Sequence, residues 1–560
     1  MLHSFAARCP VIRSWLDSAR ERPGEAAILC FAVLLPFYRL GMGEIQPWDE
    51  SLDVIRAEAC LHFDAWLDQT KYAVGHFYSS SHPPLGVWLI AVSRWMFGDS
   101  TFASRLPVAL ASSVSIILVY QLTRRLVSPR AALIGAVSLA SSDLFLIYSR
   151  RAQLEAFTIA FGVGAVFVFL LAVDSKKLSL ALLAGLILGL GLLSKLAAPL
   201  FIAPILILLP WVRGRIEARW YPALSIAIAL GLNATWLLLM INQHPDYFAH
   251  VVESFGILQS GKYQPSGLAW WYYVNQLIVA VPLVVLGVAY VIGPRGEKAE
   301  RLAIALAVWL LATMAVLVTI QTQKPHFAVL FLLPASMFAG VAWEHTDRMP
   351  SMTRFFCAMF GVLAVIWSGS EQVRQLIKGK FDTAHYLMPS VPIGMAILIC
   401  AGVLLIIWFI ARTSTHRYAA FASLALLAGA WLHIASQQPS VYANGAQQGA
   451  VILDSLHRNH LDVLHADFPT ERYAPQLAYY THGWTLGWLP NKTADTVTWE
   501  AACDPSFQPD PTKDVVVIVR FRDRFAVPTL LETNTLRALD LKLSRLFPHK
   551  SLTRSYTLYY

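Results

Sequence analysis

The sequence predicts an α-helical polytopic membrane protein with a small α/β region at its C-terminal end. Three observations carry that prediction. Of 560 residues, 56% are hydrophobic and only 14% are charged, whereas soluble domains carry about 25% charged residues. Apolar runs of spanning length recur along most of the chain, each near the ~20 residues that a hydrocarbon core requires. Beyond residue 436 these runs stop. Turn-rich stretches such as Asp504–Pro511 then accompany a buried-strand signature, Val515–Val519, flanked by Asp514 and Arg520.

The candidate spans lie near 26–43, 106–123, 131–148, 156–173, 178–194, 196–212, 221–241, 270–292, 302–320, 327–343, 353–369, 391–411 and 418–436, thirteen in all. Leu85–Phe97 is apolar but only 13 residues long, which suits an interfacial or re-entrant helix better than a span. Omitting it makes the loop charges alternate cleanly, with nineteen Lys or Arg on one side against eight in the opposite short loops. The positive-inside rule then puts the N-terminus in the cytoplasm. Thirteen spans leave the C-terminus outside. Arg8, Arg13, Arg20 and Arg22 precede the first run, and no small-residue cleavage site follows it, so that run reads as an uncleaved span.

The expected organisation is a membrane region over 1–436, containing a first outer loop at 44–105, and an outer α/β domain over 437–560. The net charge of +9 is accounted for by topological signals, so nucleic acid is not implied. Six cysteines (Cys9, Cys30, Cys60, Cys357, Cys400, Cys503) show no paired or metal-like spacing. Neither a disulfide framework nor a zinc site is expected. No correspondence between halves suggests an inverted-repeat transporter.

The residues that bear chemistry gather on the predicted outer side. Pro47-Trp48-Asp49-Glu50 follows the first span. Asp49 suits a helix cap, and it equally suits a base that takes a proton from a hydroxyl. Ser81-His82-Pro83-Pro84-Leu85-Gly86 follows in the same loop, with Trp88, Phe97-Gly98 and Ser104-Arg105-Leu106-Pro107 after it. The third span delivers Arg150, Arg151 and Glu155 to that side, the fifth ends at Lys195, and the ninth ends at Lys324-Pro325-His326. Ionisable residues at span ends serve as snorkelling anchors or as functional groups. Trp270-Trp271-Tyr272-Tyr273 suits an interfacial belt or a stacking wall for sugar or lipid. Arg520-Phe521-Arg522-Asp523-Arg524 suits a solvated strand end or an anion site.

In this order the parts resemble the GT-C fold glycosyltransferases of the protein O-mannosyltransferase and aminoarabinose-transferase type. The resemblance covers about residues 46–340. It implies a multi-spanning enzyme with an outer-leaflet cavity and an undecaprenyl- or dolichyl-type phosphate sugar as donor. Asp49 matches the family's catalytic base, and Glu50 and Glu155 match acids that position the acceptor or support the site. His82 and Ser81 stand where members often carry Lys and an acid, and His titrates near neutrality where Lys is a fixed cation. The leaving phosphate needs cations and donors. The candidates are Arg150, Arg151, Lys195, Lys262 and Lys324, with His82 and His326 as auxiliaries.

The reaction expected is transfer of a glycosyl group from a polyprenyl phosphate to a hydroxyl of an envelope lipid such as lipid A, a glycan or an exported protein. No nucleotide-binding glycine loop is evident and no cofactor is expected; a divalent cation at Asp49 and Glu50 is left open by the residues. The predicted location is the bacterial inner membrane. The rivals are a transporter or flippase, which would place ionisable residues near the midplane, and a lipid-linked ligase.

Overall fold

The computed structural model describes residues 22–46, 49–73, 81–196, 198–259, 269–281, 284, 287, 297–319, 325–345, 423, 426–428, 430–431, 445–465, 475–519, 530–553 and 556–560. Among the described residues, the N-terminal three-fifths of the chain is helical. In order come α1 (Pro23–Leu34), α2 (Asp49–Phe63), α3 (Leu85–Phe97), α4 (Thr101–Leu126), α5 (Pro129–Ala140), α6 (Asp143–Tyr148), α7 (Glu155–Ser175) and α8 (Leu178–Leu192). They are followed by α9 (Ala203–Val212), α10 (Tyr221–Gln243), α11 (Tyr247–Gln259), α12 (Ala269–Ala280), α13 (Glu297–Thr319), α14 (Pro325–Ala328) and α15 (Leu332–Glu344).

Among the described residues, five helices are long and apolar enough to cross a membrane: Thr101–Leu126, Glu155–Ser175, Ile216–Gln243, Ala299–Thr319 and His326–Glu344. Several other expected spans are shorter or interrupted. The first stops at Leu34 and tightens into a 3-10 turn at Leu35–Phe37, where Pro36 sits at the turn's start and cannot donate to an α-helical ladder. The run 131–148 is divided into α5 and α6, because the Ser142 hydroxyl accepts from the Phe145 amide and caps a new helix. The run 196–212 becomes a 3-10 turn at Ala198–Ile202 followed by α9, whose first turn contains Pro204. Expected spans at 353–369 and 391–411, and most of 418–436, lie outside the described residues.

Two kinds of surface hold this bundle. Outward, α8 exposes Leu182, Leu186 and Leu190 at four-residue spacing, and α10 exposes Leu238 and Leu239; such stripes suit lipid, not water. Inward, small residues let backbones approach. At the α5–α15 crossing, a Cβ on Gly340 would come within 2.2 Å of the Ala131 carbonyl oxygen. Only glycine fits there.

The C-terminal region holds α16 (Ala446–Ser455), β1 (His460–His465), α17 (Pro475–Tyr480), β2 (Thr493–Thr498), α18 (Trp499–Cys503), β3 (Asp514–Val519), α19 (Leu530–Leu546), β4 (Lys550–Leu552) and β5 (Tyr556–Tyr559). The strands form one sheet in the order β2-β1-β3-β5-β4. β1 runs parallel to both β2 and β3, while β5 runs antiparallel to β3 and β4. Alternation sends Leu461, Val463, Val515 and Val517 toward Leu453 and Leu477 on one face. Leu464, Val516 and Ile518 meet Leu539 and Leu543 of α19 on the other.

This region docks on the first loop of the bundle. The Glu44 carboxylate accepts from the amides of Gly445 (2.9 Å) and Gln447 (3.2 Å), capping α16 from afar. The Ile45 amide donates to the Tyr480 hydroxyl at 2.9 Å. Arg94, buried and ion-paired with Glu58 and Asp99, donates to the Tyr479 hydroxyl at 2.9 Å.

Candidate functional site

The carboxylates at the start of α2 have different surroundings. Glu50 is fully buried. Its Oε1 accepts from Arg105 Nε (2.7 Å) and the Ala152 amide (2.9 Å), and its Oε2 from Arg105 Nη2 (3.0 Å) and the Gln46 amide (2.7 Å). Burial alone would raise its pKa, but the Arg105 guanidinium, these hydrogen bonds and nearby Arg151 outweigh it and hold the carboxyl below its ordinary value. The same guanidinium reaches the carbonyls of Met42 (2.8 Å) and Glu44 (2.9 Å). Arg105 thus ties three parts of the loop to α4.

Asp49, one residue earlier, is a third exposed, and its Oδ2 lies 3.4 Å from His326 Nδ1. The two residues are 277 positions apart in the chain, yet α14 brings the ring to the carboxylate. His326 also meets Tyr148 edge-on, at 6.3 Å between ring centroids. Glu155 and Lys195 form a largely buried ion pair, and the Lys195 ammonium feels the charges of Asp49 and Asp53. The Leu85 amide donates to the Leu193 carbonyl at 2.9 Å, which holds the His82 loop next to Lys195.

His82 is buried. That burial, together with the Lys195 and Arg56 charges, pushes its pKa down to about 3. It is therefore neutral near pH 7 and can offer a ligand a hydrogen bond without a charge. Its Nδ1 and the Tyr148 hydroxyl are buried with no hydrogen-bond partner among the described residues, the kind of orphan that a bound ligand would satisfy. The unfolded chain protonates His82 near its ordinary value of about 6.5. Between about 6.5 and 3 the unfolded state binds the extra proton, so stability rises with pH there and falls on acidification. We expect the melting temperature in detergent to drop between pH 7.5 and pH 5, and to drop less in His82→Asn. Equal acid sensitivity in both proteins would contradict the assignment.

Two charged residues that the sequence reading passed over complete the cluster. Asp53 follows Asp49 by four residues and Arg56 follows Asp53 by three, so all three share a face of α2. Burial pushes the Asp53 carboxyl well above its usual range; Glu155 and Asp49 add to that, while Arg56 and Lys195 oppose it. Arg56 donates to Gln69 Oε1 and the His82 carbonyl, both at 2.8 Å, and approaches Asp53 at 3.6 Å.

Arg150 is committed to the fold: it donates to the carbonyls of Tyr38 (2.7 Å) and Arg39 (3.2 Å) at the end of the first helix. Arg151 is 9% exposed and acts on Glu50 electrostatically. Trp270 is half exposed while Tyr273 is buried. Lys262, Lys324 and Arg520-Phe521-Arg522-Asp523-Arg524 lie outside the described residues. Cys60 is buried and Cys503 exposed, and both are free thiols.

The fold, a bundle of apolar helices with a carboxylate-bearing loop helix and a docked mixed sheet, is shared with solved structures. The chain matches ArnT from Cupriavidus metallidurans in its apo state with a TM-score of 0.64 at 14% identity, covering 95% of this chain and 97% of that one. It matches the same protein bound to undecaprenyl phosphate with a TM-score of 0.62 at 15% identity and the same coverage. By sequence, residues 81–238 match the family described as dolichyl-phosphate-mannose-protein mannosyltransferase. Its relatives include an undecaprenyl phosphate-alpha-4-amino-4-deoxy-L-arabinose arabinosyl transferase of Pseudomonas fluorescens Pf-5, 26% identical over 53% of this chain and 56% of that one. Another is the transferase of the same name from Pseudomonas aeruginosa UCBPP-PA14, 29% identical over 51% and 56%. The matched region thus spans 56% of the length of each of these two relatives. The resemblance first seen in the order of the loop motifs is therefore shared by sequence relatives and by fold.

Proposed function

We propose that this protein is a membrane glycosyltransferase that moves a sugar from undecaprenyl phosphate, or a similar polyprenyl phosphate, to a hydroxyl of an envelope lipid, glycan or exported protein. The observation that carries this reading is the gathering of Asp49, His326, His82 and the Glu155–Lys195 pair at one cluster. Asp49 takes the proton of the acceptor hydroxyl as its oxygen bonds to the anomeric carbon. The bond from that carbon to the phosphate oxygen breaks, and polyprenyl phosphate leaves with the electron pair.

Lys195, with Arg151, Lys262 and Lys324, supplies charge to the leaving phosphate; His82 and His326 supply hydrogen bonds, and Glu50, Glu155 and Arg150 support the loop. The test is purified protein incubated with an undecaprenyl-phosphate sugar and candidate acceptors, lipid A among them. Free undecaprenyl phosphate and a glycosylated acceptor are expected. Transport of intact donor without cleavage would favour the flippase reading instead.

In this reading the chain crosses the inner membrane thirteen times, with its N-terminus in the cytoplasm and residues 437–560 forming an α/β domain in the periplasm. The basic-residue asymmetry of the short loops supports that orientation. A cysteine placed at the exposed Asn491 should react with a membrane-impermeant maleimide in intact spheroplasts. Reaction only after lysis would invert the topology.

A further inference from the structure

The sheet holds a second cluster of side chains, remote in sequence from the loop motifs. His460 and Asp462 are two residues apart on β1, so they point to one face. The parallel register places Thr493 beside His460 and Asp495 beside Asp462, which puts all four side chains on that face. His460 Nε2 lies 3.2 Å from Asp462 Oδ1 and 3.7 Å from Asp495 Oδ2. One donor atom from each of the three lies within 4.8 Å of the others, an arrangement found once among the described residues.

The spacing has a specific chemical meaning. Nitrogen and oxygen ligands bind zinc at about 2.0–2.2 Å in a tetrahedron, and the edge of that tetrahedron is roughly 3.3–3.6 Å. The distances around His460 Nε2 bracket that edge. The other ring nitrogen, Nδ1, is 2.8 Å from Thr493 Oγ1. Ligating histidines are held in this way, by a second partner on the nitrogen that faces away from the metal. With Nδ1 protonated toward Thr493, the Nε2 lone pair faces the two carboxylate oxygens and can ligate a cation between them; in the other tautomer Nε2–H donates to Asp462 Oδ1 and Nδ1 accepts from the Thr493 hydroxyl. The neighbouring carboxylate on β3, Asp514, is engaged by the Asp510 amide and is not part of the set.

We propose that His460 Nε2, Asp462 Oδ1 and Asp495 Oδ2 bind a divalent transition-metal ion of the zinc class, with the fourth position open to water on the side of exposed Asp495. Three donors including an imidazole suit zinc; calcium takes six to eight oxygens. β2 is the edge of the sheet, and the ion would fasten it to β1 through side chains where the ladder has no further strand to hold it.

The probe is zinc chloride, titrated calorimetrically into full-length, chelator-stripped protein carrying a non-histidine tag. Wild type should take up one more equivalent of zinc than His460→Gln or Asp495→Asn, and only wild type should gain thermal stability from it. Thr493→Val should keep the stoichiometry and weaken affinity by about 10- to 100-fold, the usual effect of losing an outer-shell partner. Equal zinc uptake by wild type and both ligand variants overturns the proposal, as does no uptake by any. His460 would then hold Thr493 and Asp462 by hydrogen bonds alone. Asp495 is largely exposed, so its variant separates loss of metal from loss of fold.

Discussion

Asp49→Asn is expected to lower turnover by roughly 10²–10⁴-fold, the usual contribution of a general base, with donor affinity preserved. The substitution keeps the shape of the side chain and an oxygen near His326, so the packing of α14 against the loop should survive. It removes the group that would accept a proton. Binding of a phosphate donor should not suffer, because taking a negative charge away from the Lys195 neighbourhood cannot weaken that cation's pull. Turnover and donor affinity measured on the same folded preparations decide the matter. Near-normal turnover would rule out Asp49 as the base. Loss of donor binding along with turnover would point to a structural role.

The second large effect concerns the fold itself. Glu50→Gln leaves the Arg105 guanidinium buried without its counter-charge. Removing one partner of a buried ion pair costs about 3–5 kcal/mol, a large share of the roughly 5–15 kcal/mol that holds a domain folded. We expect poor yield in detergent and a melting temperature far below wild type. The pH dependence follows from the depressed carboxyl of Glu50. Its stabilisation is complete above the unfolded carboxyl's ordinary pKa and disappears as pH falls through the lower folded value. A Glu50→Gln protein that melts like wild type would show that the Arg105 contact contributes nothing net.

How much of this could be read from residues alone depends on the physics of each feature. The helical class follows from composition, because lipid solvates apolar side chains wherever they stand. Continuity of a span does not follow from composition. Pro36, Ser142 and Pro204 interrupt helices through backbone hydrogen bonds, while the runs around them remain apolar. Asp49 and His326 were both singled out in sequence, but their contact required a fold to close 277 positions. Asp53 and Arg56 look like a solvated helix face in sequence. Their spacing from Asp49, four and then three residues, was the available signal for a shared face. The apolar run Val515–Val519 lies in β3 as a buried strand. His460 and Asp462 gave only the weak signal of polar alternation, since their third partner comes from a strand thirty-odd residues later.

Glu44 has a consequence for how this chain tolerates rearrangement. Its carboxylate holds the amides of Gly445 and Gln447, and its carbonyl is held by the Arg105 guanidinium that grips Glu50. Gly445 reaches that carboxylate with φ of +83°, a conformation that a side chain resists. The C-terminal sheet is therefore not a removable module. A chain cut after residue 436 would leave Glu44 without the two amides it accepts from, and would strip Tyr479 and Tyr480 from Arg94 and Ile45. A C-terminal region borrowed from a relative would need both a glycine at this junction and tyrosines at the docking helix before the first loop could seat.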